Sequence, residues 1–481
     1  MQTWLEKLAA KPERSILLFS LMLLLAGNWI LPLTDRDEVR FAEASREMLQ
    51  RGDFVVPWFN GAWRFDKPVL IYWCQIASYR VLGVNDFAAR LPSVLFTTAT
   101  ALLLVRWGRK LAGAKTAFLA GAMFVAGLHL AIIGRMATAD MAMVFFVTLA
   151  VWSGWELTRP ENAARKTWWW IFYVTLALGF LAKGPVAWLP LGGMMLGRRL
   201  RKNSFRLPLL ETSVGLVVTL ALVALWGIPA LAQTGGKYFA IGMGEHVFNR
   251  SVGVINGHGF AGLLGFIALL PLYFLTFFVS FFPWSTRVPS ALRRWWPERQ
   301  RDELGWYLLT QALLVFVVFS FVRTKLPHYT MPAFPCLALW LALQIGKDDK
   351  AFVWFGKRFA AMTLLVLALM LGVFAVARNY LLTENLWRAV QPHVRAETKV
   401  VCLGYTEPSV VWKIRSVSTN RVVLGDVSLA RNFLTNAPPF ILVLPAKDAA
   451  RLTATNGLQI QVHGLDMVKF KNWDLTVIIR P

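Results

Sequence analysis

The chain alternates long apolar runs with short polar connections over most of its 481 residues. A run such as "SILLFSLMLLLAGNWILPL" (15–33) approaches the ~20 helical residues that cross an apolar layer about 30 Å thick. The pattern predicts eleven membrane spans, near 15–33, 91–107, 113–134, 141–157, 168–182, 184–197, 208–231, 262–284, 303–323, 327–346 and 359–380. The first lacks a small-residue cleavage site after a short apolar stretch and reads as an anchor rather than a removable signal. "PVLIYWCQIASYRVLGV" (68–84) is nearly as apolar. It reads as a helix lying in the interface, because a crossing there would reverse the charge asymmetry of every later loop.

Two stretches break the pattern. In "TDRDEVRFAEASREML" (34–49), Phe41, Ser45, Met48 and Leu49 recur at helical spacing from Glu38 to Arg51. Glu43–Arg46 and Glu47–Arg51 can pair on what reads as the wet face of a helix resting on the outer leaflet, ended by Gly52. After about residue 384 the texture becomes that of short strands, "TKVVCLG" (398–404), "RVVLGD" (421–426), "FILVLPA" (440–446) and "DLTVIIRP" (474–481). Between the first three lie the helical spacings of "PSVVWKIRS" and "VSLARNFLT". Strands alternating with helices predict a small α/β domain. The expected division is a transmembrane part, 1–383, with a first outer loop at 34–90, and an α/β domain, 384–481.

Composition agrees with a polytopic α-helical membrane protein: 56% of residues are hydrophobic and 16% charged. The formal net charge of +24 raises nucleic acid as a partner, and its distribution removes it. Lys and Arg gather at the N-terminus (Lys7, Lys11, Arg14) and in 106–115, 159–166, 198–206, 287–301 and 347–358, which are alternate connections. That asymmetry faces these loops to the cytoplasm and anionic lipid. An odd span count from a cytoplasmic start puts 34–90 and 384–481 outside, in the periplasm of a bacterial inner membrane. Cys74, Cys336 and Cys402 are too scattered for a disulfide framework or a cysteine metal site.

Candidate chemistry collects on the outer face. Asp37 and Glu38 lie at the mouth of the first span, Lys67 opens the interfacial helix, and Arg135 and Asp140 lie in "GRMATAD". Lys183 precedes Gly184 and Pro185; His246 and Arg250 lie in "EHVFNR" (245–250), and Lys325 and Tyr329 in "RTKLPHY" (323–329). Each has a plainer reading: Asp37 and Asp140 as helix caps, Lys183 and Lys325 as cations snorkelling from span ends, His246 as a satisfied loop histidine. Their gathering at membrane depth, where ionisable groups are costly, argues for a site. Cations such as Arg40, Lys67, Arg250 and Lys325 suit phosphate, and a carboxylate beside them suits a general base or the stabilisation of a developing sugar cation. A substrate with an interfacial phosphate and an apolar tail is a polyprenyl-phosphate sugar.

"DRDEVRFAEASREMLQRGDFVVPWFNGAWRFDKPVLIYW" resembles the first periplasmic loop of the bacterial GT-C membrane glycosyltransferases, above all the lipid A aminoarabinose transferase group, and more distantly the protein O-mannosyltransferases. Similarity continues through Asp140, "AKGP" (182–185), "EHVFNR" and "KLPHY", and so covers about residues 15–345. The resemblance implies a GT-C fold and sugar transfer from a polyprenyl-phosphate donor to lipid A or another lipopolysaccharide component, a glycan or protein, at the periplasmic face. It makes Asp37 the catalytic carboxylate, with Glu38 beside it and Asp140 as a second acidic site. It places Arg40, Lys67 and Arg250 at donor or acceptor phosphate, and Tyr329 after Lys-Leu-Pro. Phe41 stands where the aminoarabinose enzymes commonly carry Tyr, and the C-terminal part is shorter than theirs; both leave sugar and acceptor open. This reading leaves the need for a cofactor open: a divalent metal is one candidate, for which Asp66, Glu245 and His246 could supply ligands. A lipid-linked sugar transporter or flippase would instead hold charge near the bilayer midplane in broken helices. A non-catalytic polyprenyl-lipid-binding protein would be favoured by loss of Asp37 or Lys67, and both are present.

The loop charges predict that a reporter active only in the cytoplasm, fused after Pro481, is silent. Clear activity there would overturn the orientation.

Overall fold

The computed structural model describes residues 2–33, 36–159, 162–201, 208–242, 244, 262–430, 440–451, 457–466 and 469–480. Within lipid every backbone polar group must be satisfied internally, and the apolar runs are accordingly helices. Among the described residues five are long and apolar enough to cross a membrane: Asp86–Val125, Asp140–Leu157, Leu209–Thr234, Glu303–Phe321 and Asp349–Tyr380. A sixth crossing results if Leu264–Ser280 and Trp284–Glu298, bent by 104° at their junction, act as one.

Several expected segments are broken or shortened. The spans expected at 91–107 and 113–134 correspond to two helical stretches within Asp86–Val125, parted by non-helical backbone at Ala112 and Gly113, where a φ of +81° turns the chain back so that Gly108 lies against Ala117 and Gly121 against Val105. The segment 15–33 folds as the 14-residue helix Pro12–Leu25. Those at 184–197 and 327–346 begin as 3-10 turns, Pro185–Trp188 and Pro327–Ala333, before Leu189–Arg201 and Phe334–Ile345. Proline at the first helical position explains where these turns start, since it lacks the N–H that an interior turn would need.

The chain divides into two compact units. The first comprises Met1–Ala26, Phe65–Cys74 and Arg90–Leu367. Aromatic packing fills it: Trp107 stacks on Trp152 at 5.6 Å and Phe281 on Phe334 at 5.5 Å, while Tyr307 donates its hydroxyl to the Val151 carbonyl at 2.7 Å. Its buried charges are satisfied from within. Arg135 donates to the carbonyls of Leu23, Ala26 and Ala131 at 2.7, 2.6 and 3.0 Å, closing the C-terminal end of Pro12–Leu25. Glu156 accepts from Lys110, Trp152 and Asn162 at 2.6, 3.0 and 2.8 Å.

The second unit comprises Gly27–Arg64, Gln75–Ala89 and Ala368–Pro481. It opens with the helix Arg36–Arg51, two residues longer at its start than the spacing predicted, and ended by Gly52 at φ +67°, a left-handed conformation that favours glycine. A hairpin follows, β1 (Trp58–Phe59) paired with β2 (Ala62–Trp63). Its tip residue Asn60 bonds the backbone of Val422 at both N–H and C=O, 3.0 and 2.8 Å. The C-terminal sheet contains β3 (Lys399–Leu403), β4 (Val423–Gly425), β5 (Phe440–Pro445), β6 (Leu458–Asp466) and β7 (Lys471–Arg480), in the order β4-β3-β5-β7-β6. β3 pairs in parallel with β4 and β5; β7 is antiparallel to β5 and β6. Both sheet faces are covered. Val400, Cys402, Ile441, Val443, Leu475 and Val477 pack on one side with Leu382, Leu386, Val410 and Ile414. Val401, Leu403, Leu442, Leu444 and Ile478 occupy the other, so the central strands read as nearly unbroken apolar runs. Burial pushes the Cys402 thiol up to about 12, consistent with an inert core residue.

The expectation of a helix with its charges in water is overturned. Glu43, Glu47 and Arg46 are 0%, 1% and 3% exposed. Glu43 pairs with Arg46, whose guanidinium lies 4.4 Å over the Trp412 ring and donates to the Trp412 carbonyl at 3.0 Å. Arg415 reaches Glu47 at 2.5 Å and Glu43 at 3.5 Å. The pairs foreseen along the helix do form, with Arg51 3.7 Å from Glu47. They face the helix Pro408–Ile414, because that helix brings an arginine to a carboxylate pair that one arginine could not neutralise. Ser45 donates to Gln75 at 2.6 Å and Tyr79 to the Ala42 carbonyl at 3.1 Å, closing the helix's other side.

Arg415→Met removes one of two buried cations from two buried carboxylates and is expected to cost about 3–5 kcal/mol, read as a lowered Tm of the purified protein. An unchanged Tm would show that the four charges are not coupled.

Candidate active site

The sequence-selected residues divide between the two units. In the second, Asp37 and Glu38 occupy the first turn of Arg36–Arg51, where a carboxylate is favoured by the helix dipole. Asp37 is exposed, Glu38 buried and Arg40 half-buried. The buried Phe41 ring carries the Arg64 guanidinium 4.9 Å from its centroid, with Arg64 itself 7% exposed. A buried arginine over an aromatic face gains from cation–π attraction. Arg64 is not among the residues that the sequence pattern singles out, although "WRFDKP" sets it three residues before Lys67. A small, solvent-open cleft in this unit is lined by Leu33, Arg36, Thr383, Tyr405, Glu407 and Lys413, among others. Within it Lys413 pairs with Glu384 at 2.7 Å, and Thr383 shares hydrogen bonds with Tyr405 and Ser409 at 2.9 Å each.

In the first unit Lys67 is half-buried, and its ammonium donates to the Asp66 carbonyl at 3.0 Å. Tyr238 donates its hydroxyl to the Lys67 carbonyl at 2.6 Å and packs edge-on against Phe65 at 5.3 Å, holding this turn. Only the position of Tyr238 just past a span hinted at that contact.

Asp140 and Lys183 meet. Asp140 is the first residue of Asp140–Leu157, and the N-cap before it, Ala139, makes no side-chain bond. One carboxylate oxygen takes Lys183 and the other accepts from the Thr138 hydroxyl at 2.9 Å. Lys183 ends the helix Arg165–Lys183, where Gly184 at φ +84° turns the chain sharply so that the lysine points inward. The Lys183 ammonium lies 5.7 Å from the centre of the Tyr329 ring, which packs against Phe319 at 5.1 Å. With both oxygens engaged, Asp140 suits holding a lysine beside Tyr329 better than accepting a proton. Lys325 donates to the carbonyls of Phe319 and Ser320 at 3.1 and 2.5 Å, capping the end of Glu303–Phe321. Burial pushes its ammonium down to about 8.

Glu245, His246 and Arg250 lie outside the described residues. Of the metal ligands considered, only Asp66 is described, and among the described residues no group of three His, Cys, Asp or Glu is placed to hold a metal ion.

A family profile described as dolichyl-phosphate-mannose-protein mannosyltransferase matches residues 66–227. An undecaprenyl phosphate-alpha-4-amino-4-deoxy-L-arabinose arabinosyl transferase of Pectobacterium atrosepticum is 31% identical over 338 residues, 69% of this chain and 58% of its own. The chain belongs to the GT-C glycosyltransferase superfamily, of the lipid A aminoarabinose transferase type. An uncharacterized protein of Aquifex aeolicus is 30% identical over 361 residues, covering 75% of this chain and 78% of that one. The crystal structure of ArnT from Cupriavidus metallidurans bound to undecaprenyl phosphate superposes with a TM-score of 0.79 at 17% identity, over 96% of this chain and 97% of that one. That likeness shows a shared fold. The match to the Pectobacterium enzyme spans less than two thirds of its length. The resemblance seen in the first loop is thus confirmed at the level of the superfamily.

Lys183→Met strands Asp140 in a buried site and is expected to cost about 3–5 kcal/mol. Adding Asp140→Asn should restore much of that loss in Tm. Additive losses would show that the two residues act independently.

Proposed function

We propose that the protein transfers a sugar from a polyprenyl-phosphate donor to an acceptor at the periplasmic face of the bacterial inner membrane, with lipid A or another lipopolysaccharide component as the acceptor. The observation that carries this reading is the 31% identity to an undecaprenyl-phosphate-dependent arabinosyl transferase over 69% of this chain. Asp37, exposed at a helix start, gives such a reaction a carboxylate in the expected first loop. In this reading eleven spans place 34–90 and the domain 384–481 in the periplasm.

The chemistry is a displacement at the sugar's anomeric carbon. The acceptor oxygen forms a bond to that carbon as the bond to the phosphate oxygen breaks. The electron pair leaves with polyprenyl phosphate, whose charge is met by Arg40, Lys67 and Arg250. A hydroxyl acceptor gives its proton to Asp37. A phosphate acceptor is already anionic, and Asp37 then orients it or stabilises the cationic sugar. Lys183, held by Asp140, adds a fixed positive charge beside Tyr329. Arg64 over Phe41 shapes the pocket wall where the aminoarabinose enzymes commonly carry a tyrosine hydroxyl.

Asp37→Asn keeps the side-chain shape and is expected to leave expression and Tm intact while lowering transfer at least about a hundredfold. Lys67→Ala should lower kcat/KM about tenfold or more through loss of a charge-assisted hydrogen bond. Mass spectrometry of lipid A and lipopolysaccharide from strains with and without the gene identifies the sugar by the mass that disappears. An Asn variant with most of the parent's activity would reduce Asp37 to a helix-terminal charge.

A further inference from the structure

We propose that Arg36 and Glu407 form a latch through which the C-terminal α/β layer fixes the first turn of the helix Arg36–Arg51, and with it Asp37. Arg36 donates Nε and Nη2 to the two oxygens of Glu407 at 2.9 and 2.8 Å, a bidentate fork that sets direction as well as distance. The partners are 371 residues apart in sequence. Their surroundings are unequal: the Glu407 side chain is 5% exposed and that of Arg36 43%. Glu407 stands at the N-cap of Pro408–Ile414 but makes no capping bond to its own helix. Its carboxylate is turned to Arg36, and Lys469 lies 3.6 Å from the same group.

The latch does what the buried charge cluster cannot. Arg46, Glu43, Glu47 and Arg415 hold the middle and end of the helix. Arg46 lies ten residues beyond Arg36, about 15 Å along the axis. A tilt of roughly 4° about that anchor shifts the first turn by about 1 Å, a misplacement that can cost about a hundredfold in rate. A helix start is also where backbone N–H groups lack partners inside the helix, so it is held least by its own ladder. The fork sits on the residue before Asp37. Arg36 and Glu407 are therefore positioning residues, acting through Asp37, and this role rests on the function proposed above.

The test uses the full-length protein with Arg36→Ala, Arg36→Lys, Glu407→Gln and the double variant Arg36→Ala/Glu407→Gln. Hydrogen–deuterium exchange of amides 37–41 reports the latch without reference to activity. Steady-state transfer with a polyprenyl-phosphate sugar reports what it positions. Expected are faster exchange in that turn, kcat lowered about tenfold or more with donor KM and Tm near the parent's, a double variant no worse than the weaker single, and an intermediate Arg36→Lys, which keeps the charge and loses the fork. Unchanged exchange overturns the latch. So do faster exchange with full kcat, and losses that simply add. If the parent itself transfers no polyprenyl-linked sugar, the proposed function fails, and the exchange result alone decides whether the latch holds the turn.

Discussion

Charge cannot be left unpaired where water is scarce, and this constraint organises each of the two units. Moving an ion out of water costs several kcal/mol even after relaxation, so every buried charge must meet an opposite charge or a set of dipoles. In the first unit Arg135 and Lys325 are occupied by main-chain carbonyls at helix ends, and Asp140 by Lys183 and Thr138. In the second, Glu43, Arg46, Glu47 and Arg415 pair with one another, with Arg46 against the Trp412 ring. The helix Arg36–Arg51 therefore depends on a partner encoded more than 350 residues later.

This pairing separates charges that build the fold from charges available to chemistry. Arg135 and Lys325 complete helix termini, a structural duty that follows from the orphan carbonyls every helix leaves. Asp140 and Lys183 stand between the two classes: each satisfies the other, and together they set a cation near Tyr329. Asp37 differs, being exposed on a helix whose other acids are buried. Nature of charge alone does not distinguish these roles; burial and the surroundings of each group do.

Much of the architecture was readable in advance because it follows from local rules. Strands at 399–403 and 440–445 fall within the expected runs, since a strand buried on both faces shows itself as an apolar run; the short edge strand 423–425 also lies within its expected run. β6 carries no clear strand signal because "LQIQVHGLD" lies at the sheet edge with four of its nine residues exposed and only two buried, and a half-wet edge strand has no strong pattern. Helical spacing predicts the helix over 38–51 with its charged face in water; the structure starts it at Arg36 and buries that face. Periodicity reveals that a helix has two faces; it does not reveal what covers the polar one.

The membrane class, the position of most helices and strands, and the first-loop motif of the superfamily are legible in the order of residues along the chain. Those depend on hydrophobic periodicity, on turn chemistry at residues such as Gly52 and Gly184, and on motifs contiguous in the chain. Tertiary structure alone decided that Asp140 belongs to Lys183, that Arg64 covers Phe41, that Tyr238 holds the Lys67 turn, and that Arg36 meets Glu407. The physical reason is that pairing energy depends on separation in space and on local dielectric. Neither is encoded at any single position along the chain.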